Sequence, residues 1–464
     1  MSQHAGHAEP VISVSDTVAE LRRVFASRRT QSRSWREAQL RGIERLCDER
    51  ESEIAQAIAA DLRRGAFEAW LGEIAGSKAE AVHARKHLWR WMLPRPKAVP
   101  LAQQPAFAAV RPEPLGTVLI IGPWNYPVYL TLSPLVAALA AGNTVVIKPS
   151  EVAPASSRLL AELLPQYVDP AAVRVIEGDG ATTQELLAEG FDHALFTGGT
   201  EIGRRIMEGA APHLTPVTLE LGGKSPVIVD ETADLVVASR RIAMMKLLNS
   251  GQTCIAPDYV LAHDSIRDRL VEEVRQRLTE FRADQAPQQP VINQRQFARL
   301  SDALASTRGQ VVAGGRVDAE AATIEPTVVV DPADDEPLMA AEIFGPILPV
   351  LGYHSLDEAI ARINAGDKPL AAYLFTTSRA NRRRVIREVP AGAVVVNQVA
   401  MHVMVPSLPF GGVGASGMGA YHGKSGFEAF SHLKSVLVKP TKPDPLMTYP
   451  PYTDKAMRMI RKMF

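Results

Sequence analysis

The chain has 464 residues, of which 46 % are hydrophobic and 22 % are charged. Because a typical domain has ~150 residues, this length predicts two or three lobes, and the composition excludes the disordered and fibrous classes. The 51 Lys and Arg residues balance 51 Asp and Glu residues, and this neutral charge argues against nucleic-acid binding, which needs a basic surface.

The N-terminal segment and the two cysteines predict the compartment of the protein. Residues Met1–His7 have neither the basic start nor the apolar block of a secretory signal. Cys47 and Cys254 are too few for a disulfide framework, and no Cys/His spacing suggests a metal site. We therefore expect a reduced, cytoplasmic protein without a structural metal.

Two helices are predicted in the N-terminal region. Apolar residues recur at helical spacing after Thr17, which can form a capping box with Glu20. A second helix carries Ile43, Leu46 and Cys47 on one apolar face. We therefore interpret Cys47 as a small buried hydrophobic residue.

The stretch 114–147 contains no charged residue and could be mistaken for a membrane span. Proline, glycine and asparagine residues divide it into pieces shorter than the ~20 residues that a bilayer-spanning helix needs. The stretch instead predicts a buried strand, loop, helix and strand in series.

From about Gly116 onward, short β-branched runs alternate with helical segments. Successive runs start 21–28 residues apart, a spacing typical of strand–helix–strand crossovers, so a parallel sheet with helices on both faces is predicted. Such sheets bind ligands at the C-terminal ends of their strands. A second α/β region is predicted from about Ser225 to Ala400. The candidate strands are Val118–Ile121, Val145–Ile147, Val173–Val175, Ala194–Phe196 and Val217–Leu219, then Val227–Val229, Tyr259–Leu261, Thr327–Val330 and Val394–Val396.

Two glycine-rich segments are candidates for phosphate binding. Gly412–Gly417 matches the G-x-G-x-x-G pattern, but Pro406 and Pro409 precede it and no helix opens at its end, so it predicts a loop with positive φ angles. The segment Phe196–Gly203 follows a predicted strand and opens a helix, whose free amide groups suit a nucleotide phosphate. A plain strand–helix turn is the alternative interpretation.

Three polar residues lie at the ends of predicted strands or in a loop. A thiol with a pKa of ~8.5 is mostly protonated at neutral pH, and a loop that exposes Cys254 and directs amides at it would raise the thiolate fraction. Glu220 follows an apolar strand and is costly to bury unless it is paired or used. Asn125 can donate to a developing oxyanion. Taken alone, each has a structural explanation: a buried cysteine, an ion-paired glutamate and a turn-forming asparagine.

Seven motifs, in order along nearly the whole chain, resemble the aldehyde dehydrogenase superfamily. The segments 254–259 and 417–424 resemble its class-three branch, which includes fatty and coniferyl aldehyde dehydrogenases. One departure is Gly199, where many relatives have serine. The seven motifs are Pro123–Pro127, Lys148–Glu151, Phe196–Gly198, Leu219–Lys224, Gly251–Cys254, Glu342–Pro346 and Pro409–Gly412.

The resemblance implies an α/β fold with a Rossmann-like cofactor domain, an α/β catalytic domain and a small bridging β-sheet for oligomerisation. The protein would then form a homodimer. The implied boundaries are 1–96 and 116–223 for the NAD(P)-binding domain, 224–425 for the catalytic domain, 97–115 and 426–446 for the bridging elements, and 447–464 for a C-terminal tail.

The resemblance also implies a mechanism. Cys254 attacks the aldehyde carbon as a thiolate, and the Asn125 side chain and the Cys254 backbone N–H hold the oxyanion. Hydride leaves to the nicotinamide, which produces a thioester. Glu220 then deprotonates a water molecule that releases the carboxylic acid.

By the same resemblance the cofactor is NAD, with NADP as a second possibility. Lys148 and Glu151 would lie at the adenosine ribose, and the Glu151 carboxylate favours NAD because it repels a 2′-phosphate. The complete implied cofactor set is Trp124, Lys148, Glu151, Gly198, Gly199, Thr200, Gly203, Leu221, Glu342 and Phe344.

Three questions stay open at this stage. A CoA-acylating or acyl-phosphate-handling relative would share the nucleophile, although Glu220 argues against it, and a non-catalytic dimeric scaffold is a remote alternative. The basic amphipathic tail after Pro451 can contact a membrane, shape the substrate entrance or pack on a partner subunit. The substrate can be a long-chain aliphatic, benzaldehyde-like or cinnamaldehyde-like aldehyde.

Overall fold

The computed structural model describes residues 13–282 and 288–462. The expectation for Met1–His7 and the last two tail residues, Met463 and Phe464, lie outside this range. The helices are α1 Val14–Ala26, α2 Arg33–Glu49, α3 Glu51–Leu62, α4 Ala66–Ala69, α5 Gly76–Trp91, α6 Tyr129–Ala141, α7 Pro154–Tyr167, α8 Gly180–Ala188, α9 Thr200–Ala210, α10 Leu235–Leu247, α11 Arg267–Glu280, α12 Gln294–Ala305, α13 Pro337–Ala340, α14 Leu356–Ala365, α15 Arg379–Glu388, α16 Gly423–Ala429 and α17 Asp454–Ile460.

The strands begin and end as follows. They are β1 Arg95–Lys97, β2 Phe107–Pro114, β3 Thr117–Ile121, β4 Thr144–Lys148, β5 Val173–Val175, β6 His193–Gly198, β7 Val217–Leu221, β8 Pro226–Val229, β9 Tyr259–His263, β10 Gln310–Ala313, β11 Val317–Asp318, β12 Thr323–Ile324, β13 Thr327–Val330, β14 Ile347–Tyr353, β15 Ala371–Phe375, β16 Ala393–Val396, β17 Gly417–Met418 and β18 Ser431–Val438.

The first sheet has the strand order β17-β7-β6-β3-β4-β5 and is parallel except for β17. Alternate residues of β3 face opposite sides: Leu119 and Ile121 pack with α1, α8 and α9, whereas Val118 and Ile120 pack with α2, α6 and α7. The chain runs outward from β3 through β4 and β5 and then returns to β6 beside β3. This reversal of strand order is where such sheets bind ligands.

The second sheet has the order β10-β13-β14-β9-β8-β15-β16 and is parallel except for β10. All nine strands predicted from the sequence are present in the two parallel sheets, whereas the edge strands β10 and β17 and the interior strands β14 and β15 were not predicted. Pro349 and Gly352 interrupt the β14 sequence, and β15 begins with two alanines, so neither has a strong local preference for a strand. Both segments become strands because they are buried between neighbouring strands of the sheet.

A third, antiparallel sheet consists of β1, β2 and β18, and β2 pairs with β18 along all eight residues of each strand. It contains the two segments predicted as bridging elements. Phe107, Leu437 and Val438 on these strands are more than half exposed. The domain boundaries and the oligomeric role of this sheet stay predictions.

Several local predictions can be compared with the structure. The stretch 114–147 forms β3, a loop, α6 and β4, and Cys47 is fully buried, as predicted. The capping box at Thr17 was wrong: α1 begins at Val14, and the Ser13 side chain accepts the N–H of Asp16. Thr17 lies one turn into the helix, where its hydroxyl donates to the Ser13 carbonyl.

The described part of the tail is mostly exposed and contains α17. In this helix Ala456 is buried, whereas Met457 and Met459 are exposed. Within the described ranges, no helix is both long enough and apolar enough to cross a membrane. The role of the tail stays a prediction.

Helices α2 and α7 pack closely on each other beside the first sheet, and a substitution in α2 tests the contribution of this packing to stability. A Cβ atom added at Gly42 would overlap with the backbone carbonyl of Tyr167. We expect Gly42→Ala to lower the free energy of unfolding by about 1–3 kcal/mol, although alanine favours a helix. Urea denaturation measures this change. The control is Gly366→Ala, where the nearest atom would be 3.7 Å away, and an equal effect of both substitutions would contradict the packing argument.

Candidate active site

A cleft of about 950 Å³ lies at the C-terminal ends of β3, β4, β6 and β7. The three predicted catalytic residues, Asn125, Glu220 and Cys254, all line it. Thr200, Gly203 and Leu221 do not. The predicted cofactor residues that line the cleft are Trp124, Lys148, Glu151, Gly198, Gly199, Glu342 and Phe344.

The loop that carries Cys254 follows α10 through a tight turn. Asn249–Gly251 all have positive φ angles, between 52° and 69°, a conformation that costs energy for non-glycine residues and persists only when the surroundings hold it. The Asn249 side-chain amide supplies that support, because it donates to the carbonyls of Asn125, at 3.0 Å, and Gln252, at 3.1 Å. The turn therefore fixes the Cys254 loop against the loop of Asn125.

Asn125 is buried and contacts the same loop through its side chain. Its Nδ2 donates to the Gln252 carbonyl at 3.1 Å. The next residue makes a second connection, since the Tyr126 hydroxyl lies 2.9 Å from Thr253 Oγ1. Because a side-chain amide has two N–H donors, one donor of Asn125 is not used by this bond.

Glu220 lies on β7 between two neighbours in the sheet, Thr197 of β6 and Gly417 of β17. Its residue surface is only 2 % exposed, and neither carboxylate oxygen has a hydrogen-bond partner among the described residues. Burial raises the pKa of this carboxyl well above its usual range. An unpaired carboxyl of this kind can exchange a proton with a molecule bound in the cleft.

The literal G-x-G-x-x-G segment, Gly412–Gly417, forms a loop, as predicted. This loop lies beside Glu220 and does not line the cleft. Gly414 and Gly417 have positive φ angles. A Cβ atom at Gly417 would overlap with the Leu219 carbonyl, so glycine allows β17 to pair with β7. The segment thus covers the edge of the strand that carries the buried carboxyl.

The environment of Cys254 favours the protonated thiol. Desolvation, together with the nearby Glu342 and Glu220 carboxylates, raises its pKa to about 12. The backbone amides of Cys254 and Ile255 lower the pKa, as the sequence suggested, but they are the weaker influence. The expectation of an increased thiolate fraction was therefore wrong for this environment, because loss of solvent outweighs the amide dipoles.

The predicted phosphate turn joins β6 to α9. Gly199 is the N-cap, and no side chain caps the helix, so the amides of the first turn are not satisfied by the cap residue. A Cβ atom at Gly199 would meet nothing within 4 Å, so glycine is not required there by space. At Gly203 a Cβ atom would lie 2.7 Å from Leu221 Cδ2. Gly203 and Leu221 therefore set how closely α9 packs on β7.

Two further pairs line the cleft. Lys148 is buried at the end of β4, and its Nζ lies 2.6 Å from a carboxylate oxygen of Glu151, whose side chain is 47 % exposed. The rings of Trp124 and Phe344 meet edge to face, with 5.5 Å between their centroids. These pairs contribute polar groups and aromatic surface to the lining of the cleft.

The segment around Glu342 is held by residues that sequence reasoning did not assign to the site. Lys224 forms an ion pair with Asp258, and its Nζ donates to the carbonyls of Leu338, at 2.9 Å, and Ala341, at 3.0 Å. Asp258 in turn accepts the N–H of Ile343 at 2.8 Å. Lys224 belongs to a recognised motif, but its partner and its target lie far away in sequence.

The Glu342 carboxyl lies against the backbone at Gly222, where a Cβ atom would overlap with it. Desolvation, assisted by the Asp258 charge, raises the pKa of Glu342 to about 8. Glycine at position 222 is therefore explained by the close approach of a side chain from the second α/β region.

Comparisons with known proteins identify the family to which the chain is similar. The profile of the aldehyde dehydrogenase family matches residues 7–436. The chain is 44 % identical to human aldehyde dehydrogenase family 3 member B1, covering 96 % of both chains, and 45 % identical to the rat enzyme named aldehyde dehydrogenase, dimeric NADP-preferring, covering 92 % of this chain and 95 % of the relative. The solved structure of Staphylococcus aureus AldH in its substrate-bound state superposes with a TM-score of 0.93 at 41 % identity, covering 97 % and 99 % of the two chains.

The raised pKa values predict how Cys254 reacts with iodoacetamide. Alkylation should be slow at neutral pH and should accelerate as the pH rises, because only the thiolate reacts. The pKa of Glu342 is about 8, so Glu342→Gln should match the unsubstituted protein below about pH 7 and react faster above about pH 9, where the lost carboxylate charge no longer opposes the thiolate. Mass spectrometry of the modified peptides measures both rates.

Cys47 is the internal control, because it is fully buried and should stay unmodified in the folded protein. Identical alkylation profiles of the two proteins across this pH range would contradict the electrostatic coupling of Glu342 to Cys254.

Proposed function

The chain belongs to the aldehyde dehydrogenase family, and on that premise we propose that it oxidises aldehydes to carboxylic acids with NAD or NADP through a thioester on Cys254. The observation that carries the proposal is that one cleft holds a cysteine, a buried carboxyl with no hydrogen-bond partner among the described residues, and a side-chain amide with one N–H that its bond to Gln252 does not use. This set supplies a nucleophile, a base and an oxyanion donor.

The residues of the cleft fit a nicotinamide dinucleotide. The first turn of α9 offers amides to a pyrophosphate, and Gly198 and Gly199 leave the approach open. Lys148 and Glu151 offer a donor and an acceptor for a ribose, and Glu342 and Phe344 are proposed to lie at the second ribose. When bound, the nicotinamide supplies the hydride acceptor.

The first chemical step is assigned to the Cys254 sulfur, which as thiolate forms a bond to the aldehyde carbon. The carbonyl oxygen then carries negative charge. The free Nδ2 donor of Asn125 and the Cys254 backbone N–H are proposed to bind this oxygen, and loss of such a donor costs ~10²–10³ in rate. A thiol with a high pKa is a strong nucleophile once it is deprotonated.

Glu220 is the group proposed to release the product. It accepts a proton from water, and the resulting hydroxide attacks the thioester carbon, so that the acid leaves and Cys254 is regenerated. The raised pKa of Glu220 makes it a stronger base than an exposed carboxylate. Because the part of the chain that the structure describes offers this carboxyl no hydrogen-bond partner, the hydrolytic route is favoured over transfer to coenzyme A, which needs no such base.

Finer properties are proposals of the same kind. Aromatic or medium- to long-chain aliphatic aldehydes are the proposed substrates. A homodimer is proposed through the sheet of β1, β2 and β18, whose exposed apolar residues are suited to burial, and the rat relative is named as dimeric. A cytoplasmic location remains the proposal from cysteine usage.

Glu220→Gln tests the role of the base. We expect one rapid burst of reduced cofactor per active site, followed by turnover that is ~10²–10⁴-fold slower, because the acyl-enzyme forms but is not hydrolysed. Stopped-flow absorbance measures both phases. Glu185→Gln, the same change of residue type at an exposed position of α8, is the control and should keep the original turnover.

Two results would overturn this assignment. One is an unchanged steady-state rate in Glu220→Gln. The other is coenzyme A, rather than water, as the acceptor that supports turnover in the unsubstituted protein, which would establish the acyl-transfer alternative.

Glu151→Gln tests the cofactor preference. The Glu151 carboxylate is proposed to repel a 2′-phosphate, so its removal should raise kcat/KM with NADP relative to NAD by about 2- to 5-fold, the size expected for a half-exposed charge. Glu162→Gln on α7 has the same change in net charge away from the cleft and serves as the control. The same NADP/NAD ratio in all three proteins would refute a role of Glu151 in selectivity.

A further inference from the structure

A buried ion pair lies behind the Asn125 loop. The side chains of Arg64, which follows α3, and Glu73 are fully buried and paired. Glu73 lies in a π-helical segment, Trp70–Ala75, between α4 and α5, and such segments are frequent at functional sites. The cost of desolvating two charges can exceed the attraction between them, so a buried ion pair is weak evidence for a stabilising role. The contacts of this pair favour a functional role.

Glu73 holds the end of the Asn125 loop. One carboxylate oxygen accepts the backbone N–H groups of Val128, at 3.1 Å, and Tyr129, at 2.8 Å. These amides lie at the start of α6, where no local side chain caps the helix. A carboxylate from a distant segment therefore caps α6 and fixes the direction in which the loop enters the helix.

Arg64 holds the beginning of the same loop. Its Nη2 donates to the Asn125 carbonyl at 3.3 Å, and the Asn249 amide donates to that same oxygen. The guanidinium also lies 4.7 Å from the ring centroid of Tyr126. Among the described residues, Glu73 and the Asn125 carbonyl are the hydrogen-bond acceptors of Arg64.

The contacts extend to the Cys254 loop. The Tyr126 hydroxyl is hydrogen-bonded to Thr253, the residue before Cys254. The ion pair thus contacts four of the five residues 125–129 and reaches the Cys254 loop through one further side chain.

We infer that Arg64 and Glu73 form a positioning pair that orients the Asn125 amide toward the oxyanion. The inference rests on the proposed function, since it assigns these residues to the oxyanion step. Neither residue lines the cleft, so the pair acts through Asn125 and not on the substrate. A displacement of ~1 Å at a reacting centre typically costs ~10² in rate.

A double-mutant cycle tests the inference. The single variants are Arg64→Met and Asn125→Ala, and the rate of the first burst of reduced cofactor is measured in each and in the combination. Arg64→Met should slow the burst by ~10-fold to ~10²-fold in the original background. In the Asn125→Ala background the same change should cost less than ~3-fold, because the donor that it positions is already gone. Cofactor affinity, measured by fluorescence titration, should stay the same.

Matched variants separate positioning from folding. Arg36 is another buried arginine, and it donates to the carbonyls of Thr30 and Ala140 away from the cleft. Arg36→Met should lower Tm without slowing the burst of the folded protein. Arg64→Lys keeps the charge beside Glu73 and should recover part of the burst rate. If Arg64→Met does not fold, Arg64→Met with Glu73→Gln removes both charges and takes its place in the cycle.

Two results overturn the inference, and they are distinguishable. Equal losses from the Arg64 substitution in both backgrounds, or no loss, would show that the pair does not act through Asn125. An unchanged burst rate in Asn125→Ala would overturn the oxyanion role itself, and with it both the proposed step and the inference.

Discussion

Removal of water from the ionisable side chains that line the cleft controls the protonation of this site. The same desolvation raises the pKa values of Cys254, Glu220 and Glu342. All three groups are therefore driven toward their neutral forms.

The fold makes this burial possible. Strands β3 and β4 are buried along their full length and are apolar except for Thr117, Thr144 and Lys148, so the C-terminal edge of the sheet is shielded from solvent. The loops that leave this edge must satisfy their backbone groups without water. Asn249 does so for the Asn125 and Cys254 loops, and Glu73 does so for the start of α6.

Two ion pairs have a common position in this molecule, next to residues of the cleft. Lys224 with Asp258 holds the segment of Glu342, and Arg64 with Glu73 holds the loop of Asn125. Each pair forms hydrogen bonds with backbone atoms of a cleft residue or of its neighbours, and none of these bonds is to the side chain of the cleft residue. Charged groups fix direction more strictly than apolar contacts, because their hydrogen bonds have defined geometry.

The sequence by itself determined the α/β class, nine of the strands and the three residues proposed for catalysis, because these signals are local: apolar runs, their spacing and short motifs around Asn125, Glu220 and Cys254. Tertiary structure alone decided β14 and β15, the partners of Lys224, the Arg64–Glu73 pair and the protonated state of Cys254. Ion pairs join segments that are distant along the chain, and desolvation depends on every wall of the cleft. A pattern of neighbouring residues contains neither kind of information.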